Sequence, residues 1–467
     1  MDHQARHADI AVRLDRRRGS KGTAKPVLAA LAKVSQIGYN CTLKKVHRQV
    51  ADMPANSTRI ANPFIYGRVL GRQDAACPRS TYEHAIEEAV TNRSRLALVG
   101  DRRLGKSTLV ERTHQVLRAP LLHWDFHKVY SAQDLVHRAA EDLERFVREL
   151  SPIARKVTPW LREVGLGIQD IKLSYHGVGA ALSTRMPTDH LKRLLGYVAE
   201  IAKRRPFSLF IDELQDVADR LEPREGEAIL GLLRSELQRM RIACFFAGSS
   251  RESFRSLFVS DSSPFYESAR LLEVEPIPRD DFARHLQTAF EKGTFKASRE
   301  LIDVLLAIGG QSPNDVQHLA HEVWNAAKPG ELTSRELRAA LMKILGDITP
   351  MAEAWIEKLT RNQTRALLAT ALHEELGYAT EAFLSVAGAA HRSAVVKALK
   401  PCLEGADPLV EKVGSHFRVR NRFLRLWLCT QKILIQELIP QLREEGQYRA
   451  SITRVCPQLP FDSGLDG

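Results

Sequence analysis

The 467-residue chain has few cysteines and no long apolar run. Its six cysteines, Cys41, Cys77, Cys244, Cys402, Cys429 and Cys456, are scattered, and none forms C-x-x-C. That spacing excludes the usual structural zinc motifs and argues against a disulfide framework in so long a chain. No stretch approaches the ~20 apolar residues of a membrane helix. The first residues, Met1-Asp2-His3-Gln4, are polar and lead into no apolar segment of the secretory kind. A cytoplasmic protein with no membrane partner is the expectation. Aromatic residues make up 7%, hydrophobic residues 44% and charged residues 27%, a composition able to build full globular cores.

The net charge of +12 is unevenly spread. Residues 1–60 hold 12 Lys and Arg against 4 Asp and Glu, including Arg16-Arg17-Arg18. Such an arm suits contact with double-stranded DNA or a solvated tail.

From Asn62 the texture alternates between strand-length apolar runs and helical periodicity. Leu96–Val99, Pro120–Trp124, Phe207–Ile211, Ile242–Phe246 and Leu271–Val274 read as strands. Helical patterns include 132–150 and 227–240. The alternation predicts an α/β fold with a doubly wound parallel sheet. Trp160–Arg185 interrupts it and reads as a β-hairpin insertion. Residues 277–350 read as helical, with candidate helices at 280–292, 298–308 and 313–326.

The run Gly100-Asp101-Arg102-Arg103-Leu104-Gly105-Lys106-Ser107-Thr108 fits G-x-x-x-x-G-K-[ST], with a strand entering and a helix leaving. Glycines at positions 100 and 105 allow backbone angles closed to other residues. Successive N–H groups and the helix N-terminus then cradle phosphates. Lys106 would reach the β- and γ-phosphates of ATP, and Ser107 would hold Mg²⁺. Asp212, at the end of the apolar run Phe207–Ile211, is the second candidate Mg²⁺ ligand. Glu213 is the candidate general base for the attacking water. Ser249, after Ile242–Phe246, is a candidate γ-phosphate contact, and Arg251, Arg255 and Arg270 are candidate arginine fingers.

Together these residues resemble the STAND-like P-loop ATPases, relatives of the AAA+ proteins, and especially the archaeal-ATPase-like family. The resemblance runs over about residues 62–430. It rests on Val69-Leu70-Gly71-Arg72, the phosphate loop, Ile211-Asp212-Glu213-Leu214-Gln215, Ala247-Gly248-Ser249-Ser250 and Gly309-Gly310-Gln311-Ser312-Pro313. It implies that Gly71 and Arg72 lie near the adenine and that the helices after Pro278 form a lid. Where family members often carry Pro-Leu-Tyr-Gly-Arg, this chain has Pro264-Phe265-Tyr266-Glu267-Ser268-Ala269-Arg270.

Further on, helical patterns at 366–374, from about 380 and at 393–399 precede two strand-like pieces, 409–412 and 416–420. This succession predicts a winged helix-turn-helix, in which Val395, Val396 and Leu399 face inward. Arg392, Lys397, Lys400, Lys412, Arg418, Arg420 and Arg422 would offer cations to DNA phosphates, although such modules also bind proteins. The expected organisation is a basic extension (1–60), an ATPase core (61–276), a helical lid (277–350), a winged helix (351–430) and a C-terminal helix and tail (431–467). The expected function is a Mg²⁺-dependent ATPase switch, regulatory or DNA-associated, with a protein partner or homo-oligomer open. The alternative is an ATP-bound scaffold with little turnover.

Overall fold

A computed structural model describes residues 60–150, 164–165, 167–169, 171–172, 186–249, 251–404 and 408–455. The basic extension, apart from its last residue Ile60, therefore lies outside the described residues. So does most of 160–185, where the pieces described are helical rather than strand. The chain divides into two compact units, with the boundary between Trp324 and Asn325. It falls within the 277–350 segment, so the helix Ser334–Ile356 belongs to the C-terminal unit.

The first unit is built on five parallel strands: β1 (Arg95–Val99), β2 (Leu121–Asp125), β3 (Ser208–Asp212), β4 (Ala243–Gly248) and β5 (Arg270–Glu273), in the order β2-β3-β4-β1-β5. β4 and the Leu209–Ile211 centre of β3 read as apolar runs because both faces of the sheet are covered. Phe246, Cys244, Leu209 and Ile211 point into a core shared with Trp124 and the helices Ala132–Glu149 and Pro187–Arg204. Phe245, Ala247 and Phe210 point the other way, onto Ile86 of the helix Ser80–Asn92 and Val110 of the helix Lys106–Leu117. Alternate side chains of one strand thus serve two cores, as the period of two requires.

The helices follow local rules. Ser131 caps Ala132–Glu149 by accepting from the Asp134 amide at 3.1 Å. Pro223 occupies the first turn of Pro223–Arg239, behind the Glu222 cap; the periodicity alone places the start of that helix only at 227. Three further helices, Arg279–Lys292, Arg299–Gly309 and Pro313–Ala326, follow β5.

In the C-terminal unit the helices Arg361–Leu372, Glu381–Ala387 and Arg392–Leu403 precede an antiparallel pair, Val410–Val413 and His416–Val419. The pair turns at Gly414, whose φ is 57°. Thr360 and Gln363 form a capping box, so residues that the sequence sets ahead of the first helix are its first turn. Val395 and Leu399 are buried as expected, but Val396 is 40% exposed. With Arg392 and Lys400 it lies at i, i+4 spacing on the outer stripe of its helix. The apolar helix Arg422–Cys429 is anchored by Trp427, whose indole N–H donates to Thr349 Oγ1 at 2.9 Å.

Candidate functional site

Strand register brings the site together. Val99 pairs with Gly248, and Ile211 with Phe246, so the residues that follow β1, β3 and β4 leave three adjacent parallel strands at one edge. That carboxyl edge is where open α/β sheets bind ligands.

Gly105 has φ 85° and caps the helix Lys106–Leu117. Its conformation favours glycine, as the sequence implies. Gly100 is glycine for a different reason than expected. Its φ is not positive, and a Cβ there would lie 2.6 Å from the Val274 carbonyl oxygen. Close approach to the segment after β5, not backbone angle, excludes a side chain at this position. Arg103 takes a left-handed φ of 66°.

A cavity of about 450 Å³ opens at this edge. Lys106, Ser107, Asp212, Glu213 and Ser249 all line it. Lys106 is buried, and its Nζ donates to the Gly100 and Asp101 carbonyls at 2.7 and 3.0 Å. Burial lowers its pKa, against the pull of Glu213 and Asp212. The Ser107 hydroxyl donates to Asp212 Oδ2. Burial raises the Asp212 pKa to about 6, a shift the Ser107 hydrogen bond opposes. Burial also acts to raise Glu213, but donors from Gln215 and Ser249 together with Lys106 outweigh it, and its pKa is lowered. Ser249 donates to Glu213 Oε2 from both its amide (3.1 Å) and its hydroxyl (2.8 Å).

The remaining loop residues divide. Arg102, Arg103, Leu104, Gly105 and Thr108 line the cavity, whereas Gly100 and Asp101 do not. Arg103 reaches Asp315 at 3.6 Å. Gly71 and Arg72 do not line the cavity; their neighbours Arg68, Val69 and Leu70 do. The Gly71 amide is spent on Asp74 (2.6 Å) and the Arg72 amide on Gln115 (2.7 Å). Ile277, from the segment after β5, and Phe282, Pro313 and Gln317, from the helices beyond it, add a wall. Of the candidate fingers, Arg255 pairs with Glu273 and Arg270 with Glu88 at 3.4 Å, and neither lines the cavity. The Arg251 side chain lies outside the described residues.

One supporting residue carries no sequence signal. Arg79 is 9% exposed, and its guanidinium donates to the carbonyls of Leu104 (2.9 Å) and Glu275 while stacking on Tyr82. It ties the phosphate loop to the segment after β5.

The donor set fits Mg²⁺. Among the described residues no cluster of three or more His, Cys, Asp or Glu side chains could hold a metal alone. One hydroxyl and one carboxylate beside a phosphate cradle is how Mg²⁺ is commonly bound, with substrate phosphates completing the shell.

Among solved structures, a Walker-type ATPase of Pyrococcus abyssi matches at TM-score 0.52 and 18% identity, covering 78% of this chain and 99% of that one. Cdc6p of Pyrobaculum aerophilum matches at 0.39 and 14%, covering 81% and 98%. The RuvB Holliday junction branch migration motor of Thermotoga maritima matches at 0.38 and 11%, covering 74% and 93%. The last two superpose too loosely to carry an argument. No family model and no curated protein matches. Sheet order, phosphate loop and the first of these likenesses define the fold as that of a P-loop nucleoside triphosphatase. No helix among the described residues is long and apolar enough to cross a membrane.

Proposed function

We propose that this chain is a Mg²⁺-dependent ATPase of the archaeal-ATPase-like, STAND-related kind, acting as a cytoplasmic molecular switch. The observation that carries the reading is the meeting of Lys106, Ser107, Asp212 and Glu213 around one cavity. Lys106 would leave the loop carbonyls to meet the β- and γ-phosphates. Ser107 and Asp212 would hold Mg²⁺, which when bound offsets charge on the phosphate oxygens. Glu213 would orient a water and take its proton as the water oxygen bonds to the γ-phosphorus. The bond from that phosphorus to the bridging oxygen breaks, and ADP and phosphate leave. The helices after Pro278 would act as the lid.

The C-terminal helices and hairpin fit a winged helix, and its surface favours an anionic partner. Arg392, Lys397, Lys400 and Lys412 line a groove with Tyr378 and one acid, Glu404. The arginines of the hairpin are committed elsewhere. Arg418 pairs with Glu411 at 2.7 Å, and Arg420 reaches Glu411 at 3.5 Å. Double-stranded DNA would therefore be gripped through the helix Arg392–Leu403 and Lys412 rather than through Arg418 and Arg420. A protein partner or a second copy of the chain is the competing occupant.

Phosphate release by wild type and Glu213→Gln, with and without duplex DNA at two salt concentrations, tests the reading. The expected result is turnover that falls roughly 10²–10⁴-fold in the variant while ATP still binds, and that responds to DNA. ATP binding without turnover in any condition would favour the scaffold reading.

A further inference from the structure

We propose that Gln215 is a positioning residue for Glu213, holding one carboxylate oxygen against the protein so that the other faces the phosphates. The inference rests on the ATPase reading above.

The turn after β3 creates the arrangement. Glu213 has φ 54°, a left-handed angle uncommon for a side-chain-bearing residue. The Glu213 amide is spent on Asp212 Oδ1 at 3.0 Å, and the Leu214 amide on the Ala247 carbonyl at 3.3 Å. The helix Gln215–Arg220 starts at once. Gln215 is thereby set beneath Glu213, where its Nε2 donates to Glu213 Oε2 at 2.5 Å and to Asp216 Oδ1 at 3.2 Å. Asp216 is fixed in turn by the Lys128 amide (2.7 Å) and Arg220 Nε (3.0 Å). With the two bonds from Ser249, Glu213 Oε2 accepts from three donor atoms. Among the described residues no bond goes to Oε1. Because Glu213 lines the cavity, Oε1 is the oxygen available to a water there.

The amide is kept for its N–H groups. Gln215 is 2% exposed, and its Oε1 is buried without a partner. Turning the amide over would set that oxygen against two carboxylates, so the orientation follows from the acceptors on either side. Leu or Met could fill the same space without stranding a buried acceptor. A residue that only packed would not be a glutamine. β4 makes room for it: a Cβ on Gly248 would lie 2.3 Å from Gln215 Oε1.

The test is Gln215→Met in the full chain, which keeps the volume and removes both donors, with Gln215→Leu as a second variant should the first fail to fold. Steady-state phosphate release is measured beside the Kd of a fluorescent ATP analogue, which also reports native folding. We expect kcat to fall roughly tenfold to a hundredfold, with KM and Kd within about twofold of wild type. In a Glu213→Gln background Gln215→Met should add no further loss, because the amide acts through that carboxylate. An unchanged kcat in a variant that binds nucleotide overturns the inference, as does an equal loss in the Glu213→Gln background. A wild type without turnover overturns the ATPase reading and this inference together; an active wild type with unaffected variants overturns this inference alone.

Discussion

The carboxyl edge of the sheet and the hairpin of the C-terminal unit are both rich in charge, and they use it in opposite ways. At the sheet edge, Lys106, Asp212 and Glu213 are gathered in a buried place, and neutral groups do much of the holding: loop carbonyls, hydroxyls, an amide. At the hairpin, Arg418, Arg420 and Arg425 meet Glu374 and Glu411 in a network of opposite charges. The first arrangement keeps charge available for a ligand. The second cancels it and ties elements together. Charge counted along the sequence cannot separate the two, and a basic run near a predicted wing is a weaker pointer to DNA than it looks.

The comparison can be pressed hardest at Arg425. It is 12% exposed, pairs with Glu374 and donates to the Ala371 carbonyl at 2.8 Å. Burial holds the Glu374 pKa up even with Arg425 beside it. Arg425→Ala should therefore destabilise the C-terminal unit by about 2 kcal/mol, because the half-buried Glu374 carboxylate loses its nearer cation and keeps only Arg418, at 3.9 Å. Replacing both members with apolar residues should recover much of the loss. A cost near zero in the unit's unfolding transition would mean that the network is not structural.

His285 offers a contrasting probe in the first unit. Burial, with Lys292 and Arg112 adding, lowers its pKa from 6.5 to about 4. The unfolded chain then takes up a proton before the folded one does. Its contribution is present in full above pH 6.5 and is lost as pH falls from 6.5 towards 4. Between pH 7 and pH 5 it should remove about 2 kcal/mol. His285→Leu should flatten that part of the stability–pH curve, measured from unfolding midpoints at the two pH values. A slope identical to wild type would assign the acid sensitivity elsewhere.

The smallest effect distinguishes groove from hairpin directly. Arg392→Glu with Lys397→Glu should weaken duplex DNA binding by at least about tenfold near 0.1 M salt and make the salt dependence shallower. Arg418→Ala should leave the affinity unchanged. Titrations giving the reverse order would move the contact surface to the hairpin arginines.

Much of the site is legible in the amino-acid sequence, for a local reason. The phosphate loop is one contiguous stretch whose spacing is its chemistry, and Asp212-Glu213 stands out as paired acids closing an apolar strand. The central strands β1, β3 and β4 are equally plain, because buried parallel strands announce themselves as apolar runs, whereas β5 is exposed at both ends and reads less clearly. Boundaries and partners are not. Val396 reads as core because three apolar residues lie close together on one helix, yet only two of them meet the interior. The reading of Gly100 as a backbone-angle glycine fails because the constraint comes from Val274, far along the chain at the end of the neighbouring strand β5. Arg79 gives no signal, since its targets are carbonyls, which every residue has.

By itself, then, the sequence determined the P-loop class, the strand-and-helix alternation and the residues proposed to meet phosphate and Mg²⁺, because backbone angle, helix start and apolar period are properties of neighbouring residues. Only the tertiary structure decided that Gln215 and Ser249 converge on one oxygen of Glu213, and that the hairpin arginines are neutralised while Arg392 and Lys397 of the preceding helix line a groove. Those outcomes depend on strand register and on contacts between distant residues, and a charge acquires its role from what the fold sets beside it.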